Sequence, residues 1–256
     1  MKKRVIALMQ ARTDSTRLPF KVLKKILNKP MILHQIERTV KSKCIDNFLL
    51  VTSNDKSDDK LAEIVNKNGF EVFRGDKNNV LKRFYDALLK YDLDDNDIVV
   101  RLTGDCPLHD SNIIDESIKE FILQKCDYLA NCVEPIYPDG FDVEVFNFKS
   151  LKIAYNEAVK ESDKEHVTPY IRNNKKFIVK NLEKLPIHND WRLTVDEPSD
   201  FNLILKIFEK FNSNSFDFED IINYLTKNND LLTINSHINR NEGYLKSIKE
   251  ENKSAR

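Results

Sequence analysis

Residues 5–21 read VIALMQARTDSTRLPFK, an apolar run followed by a segment that carries three cations, several hydroxyl groups and a proline. The continuous apolar character of residues 5–9 is typical of a strand buried inside a sheet. Pro19 disfavours a helix through the segment that follows, which predicts an ordered loop at the end of that strand. Arginine and lysine side chains converging in such a loop suit a polyanion such as a triphosphate, although a solvated basic turn would have the same composition.

Strand-like and helix-like patterns alternate through the first half of the chain. Apolar runs predict strands at residues 48–52, 70–73 and 98–102, and amphipathic patterns predict helices at residues 31–41, 58–68 and 79–91. This alternation favours an α/β fold with a mixed, mostly parallel sheet. Ligands of such sheets bind at the carboxyl ends of strands, where we expect the loop after Met9 and the segment after Leu102 to lie.

The pattern changes from about residue 127. Two predicted strands flank a turn-rich loop at residues 134–140. The predicted elements of this half are strands at 128–133, 142–148, 177–182 and 191–195 and helices at 149–161, 163–173, 199–211, 218–225 and near 242–249. We therefore expect a main domain over residues 1–211, with an insertion at about 127–185, and a helical appendage over residues 212–256.

The composition of the 256 residues argues against several classes of protein. The formal net charge is zero although 32% of the residues are charged, so the chain as a whole has no basic surface for nucleic acid or for an anionic membrane. No apolar run approaches the roughly 18 residues of a membrane span, and the N-terminal residues do not match a signal peptide. The four cysteines lack metal-binding spacing, which predicts free thiols in the cytoplasm.

Two aspartates follow predicted strands. Asp105 lies in residues 103–107, TGDCP, and Asp196 lies in residues 191–198, WRLTVDEP. A carboxylate at a strand end can hold Mg²⁺, which prefers oxygen ligands, although either aspartate could instead cap the following turn or helix, and Asp200 is a competing acid. Two acids that converge on one metal ion are what phosphoryl-type transfer requires.

A further group of polar residues lies in the second half. In residues 137–145, YPDGFDVEV, Asp139 lies in a turn, and Asp142 and Glu144 share one face of a predicted strand. The same pattern would suit an edge strand with a solvated face. Glu165 and His166 stand at a predicted helix start, where a histidine alone is more often structural.

Two arginines in the first half are further candidates. Arg74 closes a predicted strand, and Arg83 lies in the helix that follows it. Each could contact a phosphate or a base, or could lie on a solvated helix surface.

The loop after the first strand resembles the nucleotide loop of sugar-activating cytidylyltransferases, in particular the SpsF-type group of spore-coat polysaccharide biosynthesis. More distantly, it is similar to the synthetases of CMP-linked 3-deoxy-manno-octulosonate and CMP-sialic acid. The residues that match the family pattern are Gln10, Ala11, Arg12, Ser15, Arg17, Leu18, Pro19 and Lys21. Asp14 and Phe20 stand where the family usually has glycine, and both lack the backbone freedom of glycine.

The resemblance extends over nearly the whole chain and implies roles for particular residues. It implies a Rossmann-like nucleotide-diphospho-sugar transferase fold and a homodimer built partly by residues 128–148. The paired-strand pattern of this region leaves Phe141, Phe146 and Phe148 available for such an interface beyond the main core, although they could instead pack within one chain. The implied nucleotide-binding residues are Gln10, Ala11, Arg12, Ser15, Arg17, Lys21, Arg74 and Arg83, and the implied acceptor-binding residues are Asp139, Asp142, Glu144, Glu165 and His166. Lys21, Asp105 and Asp196 would be catalytic, the two aspartates as ligands of Mg²⁺.

These expectations point to an enzyme that transfers CMP from CTP to a sugar or sugar-like acceptor, with release of pyrophosphate, in surface glycan biosynthesis. Cations and Mg²⁺ would hold the triphosphate for attack at the α-phosphorus. Two alternatives remain at the level of sequence: a metal-dependent glycosyltransferase that uses a finished nucleotide sugar, and a module that binds nucleotide without turnover.

Overall fold

The apolar run at the N-terminus forms an interior strand of a seven-stranded sheet in the computed structural model, which describes residues 3–240. The strands are β1 (Val5–Gln10), β2 (Lys25–Ile26), β3 (Lys29–Pro30), β4 (Asn47–Ser53), β5 (Val72–Gly75), β6 (Ile98–Thr103), β7 (Tyr128–Ala130), β8 (Glu144–Asn147) and β9 (Val179–Asn181). The helices are α1 (Met31–Thr39), α2 (Asp59–Lys67), α3 (Val80–Leu88), α4 (Ser111–Gln124), α5 (Phe148–Glu157), α6 (Glu161–His166), α7 (Pro169–Arg172), α8 (Pro198–Phe211) and α9 (Phe218–Lys227). Short 3₁₀ turns cover Lys21–Leu23, Lys56–Asp58, Leu89–Tyr91 and Asn229–Ile234.

The sheet is mixed and mostly parallel, as the sequence predicts. Its strand order is β5-β4-β1-β6-β8-β7-β9, and β2 and β3 form a separate hairpin. β1 pairs in parallel with β4 and with β6, whereas β8 runs antiparallel to both β6 and β7. The carboxyl ends of β1 and β6 therefore meet at one edge, which is where the candidate loop and Asp105 begin.

Both faces of the sheet are covered, which explains why β1 is apolar at every position from Val5 to Met9 rather than at alternate ones. Ala7 and Met9 point into the core on one face, and Ile6 and Leu8 point into the core on the other. The strand pairing at 128–148 is also confirmed, since β7 and β8 are antiparallel neighbours.

Three predictions about elements need correction. The predicted helix over residues 163–173 is interrupted at Val167, where φ is 71°, so Glu165 and His166 lie at the end of α6 and not at a helix start. Residues 191–195 do not form a strand: this extended segment makes only an isolated bridge, between Arg192 and Asp139. The sequence prediction also omitted α4, a helix of 14 residues capped by the Asp110 side chain, which accepts a hydrogen bond from the Asn112 amide. The predicted tail helix near residues 242–249 lies outside the described residues.

The aromatic basis for the predicted dimer is also wrong. Phe141, Phe146 and Phe148 are all buried within the single chain, and the ring of Phe141 packs edge-on against Phe218 of α9. Because Phe218 belongs to the main hydrophobic core, α9 packs directly on the α/β core. None of the helices among the described residues is long and apolar enough to span a membrane.

Candidate functional site

The loops after β1 and β6 approach each other closely because Gly104 has no side chain. The Gly104 amide donates a hydrogen bond of 2.7 Å to the carbonyl of Gln10. A Cβ at position 104 would lie 2.7 Å from Cβ of Ala11 and 2.9 Å from the Gln10 carbonyl oxygen. Glycine here lets the backbones of both strand ends line one cleft.

The loop that follows β1 is ordered by a buried acid. The amide and the hydroxyl of Thr13 both donate 2.8 Å hydrogen bonds to Oδ1 of Asp58. Phe20 adopts a left-handed conformation, with φ of 56°, and its amide donates to the Thr13 carbonyl at 2.9 Å. Only glycine adopts this conformation without cost, which accounts for the glycine that the family pattern has at this position.

The loop lines a cleft of about 540 Å³, called the first cleft below. Its lining residues are Gln10, Ala11, Arg12, Asp14, Ser15, Thr16, Arg17, Lys21, Val22, Val80, Arg83, Thr103, Gly104, Asp105, Glu165 and His166. Seven of the eight sequence-predicted nucleotide residues thus lie around one space. The exception is Arg74, whose guanidinium pairs with Asp59 at 2.7 Å and donates to the carbonyls of Ser53 and Asp55.

The two predicted metal-binding aspartates converge on one lysine. Nζ of Lys21 lies 3.2 Å from Oδ2 of Asp105 and 2.8 Å from Oδ1 of Asp196, and it donates to the carbonyl of Val195 at 2.8 Å. Burial disfavours the charged ammonium, but the two carboxylates outweigh burial and raise the pKa of Lys21 above its ordinary value. Burial likewise opposes ionisation of Asp105, but the Lys21 charge lowers the pKa of this carboxyl.

Asp196 reaches this point from an extended segment rather than from the end of a strand. The Val195 amide donates to the Asp105 carbonyl at 2.8 Å, which joins the two acidic segments directly. Arg17 holds the other side of the carboxylate, since its guanidinium lies 3.1 Å from Oδ2 of Asp196. The predicted convergence of the two acids therefore holds, although the predicted strand does not.

A buried arginine, Arg192, links Asp196 to two further acids. Its guanidinium lies 3.0 Å from Asp196, 3.0 Å from Asp139 and 2.9 Å from Asp200. Asp200 is fully buried and also accepts hydrogen bonds from the amides of Asp196 and Glu197, both at 2.9 Å. Asp200 therefore fixes the backbone that carries Asp196 and lines neither cleft, which favours Asp196 over Asp200 as the candidate acid of the site.

A second cleft, of about 570 Å³, adjoins the first. Its lining residues are Arg17, Arg101, Thr103, Asp105, Cys106, Cys132, Val133, Asp139, Asp142, Glu144, His166, Thr168, Arg172, Asn173, Arg192, Thr194 and Asp196. Arg17, Thr103, Asp105 and His166 line both clefts, so Asp105 stands where the two spaces meet. The predicted acceptor residues line the second cleft except Glu165, which lines the first.

The acids of the second cleft differ in how they are held. Burial, followed by the neighbouring Asp142 charge, raises the pKa of Asp139 to about 7. Burial also raises the pKa of Asp142, although Arg240 opposes this, with its guanidinium 2.5 Å from Oδ1. The carboxylate of Glu144 is bound by neighbouring side chains: it pairs with Arg101 and accepts hydrogen bonds from the hydroxyls of Tyr128 at 2.5 Å and Thr168 at 2.6 Å.

Sequence reasoning identified neither Arg172 nor Arg240 and did not assign a role to Arg192. Arg192 begins the RLTVD segment, so its place before Asp196 was a signal that could have been used. Arg240 lies 98 residues from Asp142 in sequence, a separation at which no local pattern predicts contact.

The donor set around Lys21 fits a magnesium ion that completes its coordination from a substrate. Among residues 3–240, no group of three or more histidine, cysteine or acidic side chains is arranged to hold a metal ion. Asp105 and Asp196 nevertheless present carboxylate oxygens to one point. Mg²⁺ is commonly held by one or two carboxylates together with phosphates and water, so Asp105 and Asp196 are the residues that would hold such an ion.

Comparison with known proteins agrees with this geometry. Residues 6–239 match the family model described as cytidylyltransferase. A protein without an assigned function from Methanocaldococcus jannaschii is 36% identical, covering 92% of this chain and 96% of its own, and the spore coat polysaccharide biosynthesis protein SpsF of Bacillus subtilis is 30% identical, covering 90% and 97%. The solved structure of a cytidylyltransferase from Leptospira borgpetersenii superposes with a TM-score of 0.84 at 33% identity, covering 90% of this chain and 97% of the other. The chain belongs to the cytidylyltransferase family.

Proposed function

We propose that this chain transfers CMP from CTP to a sugar or sugar-like acceptor and releases pyrophosphate, as part of surface glycan biosynthesis. The observation that carries the proposal is the position of Asp105, which lines both clefts and faces Asp196 across Lys21. The first cleft has the cations that a triphosphate requires. The second cleft has acids and arginines that suit a polar acceptor, and the two spaces meet at one carboxylate.

The residues of the first cleft would bind and orient the triphosphate. Arg12 and Arg17 are partly exposed, with about a third of each side chain accessible, so both can turn to phosphate oxygens. Arg83 is nearly fully buried and donates to the carbonyls of Asp76 and Lys77, so it would support the wall of the cleft from behind. Catalysis by positioning and charge is what phosphoryl-type transfer requires of a protein.

Asp105 and Asp196 would hold Mg²⁺, which supplies charge neutralisation to the triphosphate. Lys21 holds the two carboxylates together through direct ion pairs and would contribute a second positive charge at the junction of the clefts. Arg192 and Asp200 keep Asp196 oriented, because they bind its side chain and its amide. The acceptor oxygen would approach from the second cleft, on the far side of Asp105.

A pyrophosphate-release assay tests the proposal. The wild-type chain would be incubated with each of the four ribonucleoside triphosphates, with Mg²⁺, and with a panel of acidic and phosphorylated sugars. We expect release with CTP that depends on one acceptor, and none from Asp105→Asn under the same conditions. In a second incubation, with nucleotide sugars in place of the triphosphates, release of a nucleoside diphosphate would instead support the glycosyltransferase alternative. Binding of CTP without any turnover would support the non-catalytic alternative.

We also propose that the chain acts as a homodimer, as the family resemblance implies. The phenylalanines of residues 128–148 do not support it, but Val133 and Ile178 are exposed apolar residues in the predicted insertion, 46% and 55% accessible. Apolar residues of this kind suit the centre of an interface between two copies. Light scattering at micromolar concentration should give twice the mass of one chain, and the mass of a single chain would contradict the dimer.

A further inference from the structure

The last described residues, 235–240, return from the C-terminal appendage to the second cleft. Asn235 is buried, and its side-chain nitrogen Nδ2 donates to Oδ1 of Asp200 at 2.8 Å and to the carbonyl of Arg192 at 3.0 Å. Arg192 in turn donates to the carbonyl of Asn239 at 3.4 Å. The segment is therefore fixed at both ends to the network that orients Asp196.

Arg240, at the end of this segment, binds the acids of the second cleft. Its guanidinium donates to Oδ1 of Asp142 at 2.5 Å and to the carbonyl of Tyr137 at 3.2 Å, and its Nε lies 4.0 Å from Oδ1 of Asp139. Only 17% of the side chain is accessible, so the charged contact is largely shielded from water. An ion pair in such a place fixes geometry more firmly than an exposed pair does.

The contact leaves one oxygen of Asp142 available. Oδ1 is taken by Arg240, whereas Oδ2 has no hydrogen-bond partner among residues 3–240. Asp142 lines the second cleft. A carboxylate oxygen accepts hydrogen bonds and cannot donate them when ionised, so the complementary group on a ligand is a hydroxyl or an ammonium.

We propose that Arg240 is a positioning residue for the acceptor: it holds Oδ1 of Asp142 so that Oδ2 accepts a hydrogen bond from a hydroxyl or ammonium group of the acceptor. That the ligand is the acceptor rests on the proposed function. The ion pair by which Arg240 holds Oδ1 of Asp142, called the clamp below, does not. The C-terminal appendage is then part of the acceptor site. This also explains why the appendage packs on the core through Phe218 and is tied to Arg192 through Asn235.

Carboxyl amidation tests the clamp without any substrate. The full-length wild type, R240Q and R240K would be treated with a water-soluble carbodiimide and glycine ethyl ester, and the rate of modification of each acid would be measured by peptide mass spectrometry. We expect Asp142 to react at least fivefold faster in R240Q than in wild type, with R240K closer to wild type because it keeps the charge.

The matched control is K184Q, which removes a cation from the same neighbourhood. Nζ of Lys184 donates to the hydroxyl of Tyr137 at 2.9 Å, whereas Arg240 donates to the carbonyl of that residue. Lys184 does not contact Asp142, so K184Q should leave its amidation rate within twofold of wild type. Equal rates for Asp142 in wild type and R240Q, or equal increases in R240Q and K184Q, would overturn the clamp.

Kinetics with the acceptor identified in the pyrophosphate assay test the role in binding. R240Q and D142A should each raise KM for the acceptor at least tenfold while kcat and the Kd for CTP change less than threefold. Unchanged KM in both variants would overturn the positioning role. If the wild type releases no pyrophosphate with any acceptor, the proposed function fails, and the amidation rates still decide whether Arg240 holds Asp142.

Discussion

Nζ of Lys21 lies 3.2 Å from Oδ2 of Asp105, although 84 residues separate the two in sequence. Asp196, 175 residues from Lys21, lies on the same ammonium at 2.8 Å. The lysine thus brings together one acid from the end of β6 and one from an extended segment that no strand ladder supports. The junction of the two clefts is therefore built from three segments that are distant in sequence.

The first prediction concerns the two acids. Asp105→Asn and Asp196→Asn keep the shape of each side chain and remove its charge, so each should lower the rate of pyrophosphate release at least about 100-fold, consistent with the several kcal/mol that a catalytic metal supplies. Asp190→Asn, at an exposed acid, is the control and should retain full activity. Activity of either site variant within about tenfold of wild type would show that its carboxylate is not a metal ligand.

The second prediction concerns the cations of the first cleft. Arg12→Ala and Arg17→Ala should each weaken CTP binding by about tenfold at low salt, since each removes a charge-assisted contact of about 1.5 kcal/mol. The loss should shrink at high salt because both side chains are partly exposed. Lys21→Ala should show a weaker salt dependence, because its side chain is only 11% accessible. Titration calorimetry at two salt concentrations measures all three effects.

Arg74→Ala provides the matched control for those measurements. The sequence pattern predicts that Arg74 binds nucleotide, but the structure places its guanidinium on Asp59 and outside the first cleft. CTP affinity of this variant should therefore stay within about twofold of wild type. A loss as large as that of Arg12→Ala would show that the cleft extends to Arg74 when the nucleotide is bound.

The mostly parallel sheet could be predicted because its central strands contain short, continuous apolar runs. β1, β4 and β6 contain these runs at residues 5–9, 48–51 and 98–100, since both faces of the sheet are covered. The helix α4 was also open to prediction: its buried Ile114, Ile118 and Phe121 recur at helical spacing. Its omission was an error of interpretation, because the signal is present.

The course of residues 191–195 could not be predicted from their pattern. Leu193 and Val195 are buried and alternate with polar residues, which is typical of a strand. In the structure their amides donate isolated hydrogen bonds rather than forming a strand ladder: the Leu193 amide donates to the Asp139 carbonyl at 2.6 Å, and the Val195 amide donates to the Asp105 carbonyl at 2.8 Å. Partners so distant in sequence leave no local trace, and the same holds for Arg192 with Asp139, 53 residues away, although Asp196 and Asp200 are only four and eight residues from Arg192.

The third prediction concerns Asp14, which stands where the family usually has glycine. Its carboxylate lies 3.4 Å from Arg12 and 3.5 Å from Lys77, and it lines the first cleft. This negative charge competes with a triphosphate for Arg12, so Asp14→Asn should tighten CTP binding by about two- to fivefold, as expected of an exposed charge interaction of less than about 1 kcal/mol. Weaker binding in Asp14→Asn would instead show that Asp14 aligns Arg12 for the nucleotide.

The last prediction concerns pH and stability. His109 is fully buried, and burial lowers the pKa of its imidazole to about 4, with the Arg38 charge acting in the same direction and the Asp105 charge opposing it. Its Nδ1 lies 3.1 Å from the side-chain nitrogen of Gln35, which is consistent with a neutral ring that accepts a hydrogen bond there. The unfolded chain takes up a proton at this histidine near pH 6.5, before the folded chain does, so the contribution of His109 to the free energy of unfolding falls as pH decreases from about 6.5 towards 4. We expect this histidine to account for a loss of about 2 kcal/mol between pH 7.5 and pH 5. Urea unfolding at both pH values tests this: the change in the free energy of unfolding between the two pH values should be the same in wild type and in His237→Gln, which alters an exposed histidine, whereas His109→Gln should lack the part due to His109. Equal pH dependence in all three proteins would show that His109 is protonated in the folded chain as readily as in the unfolded one.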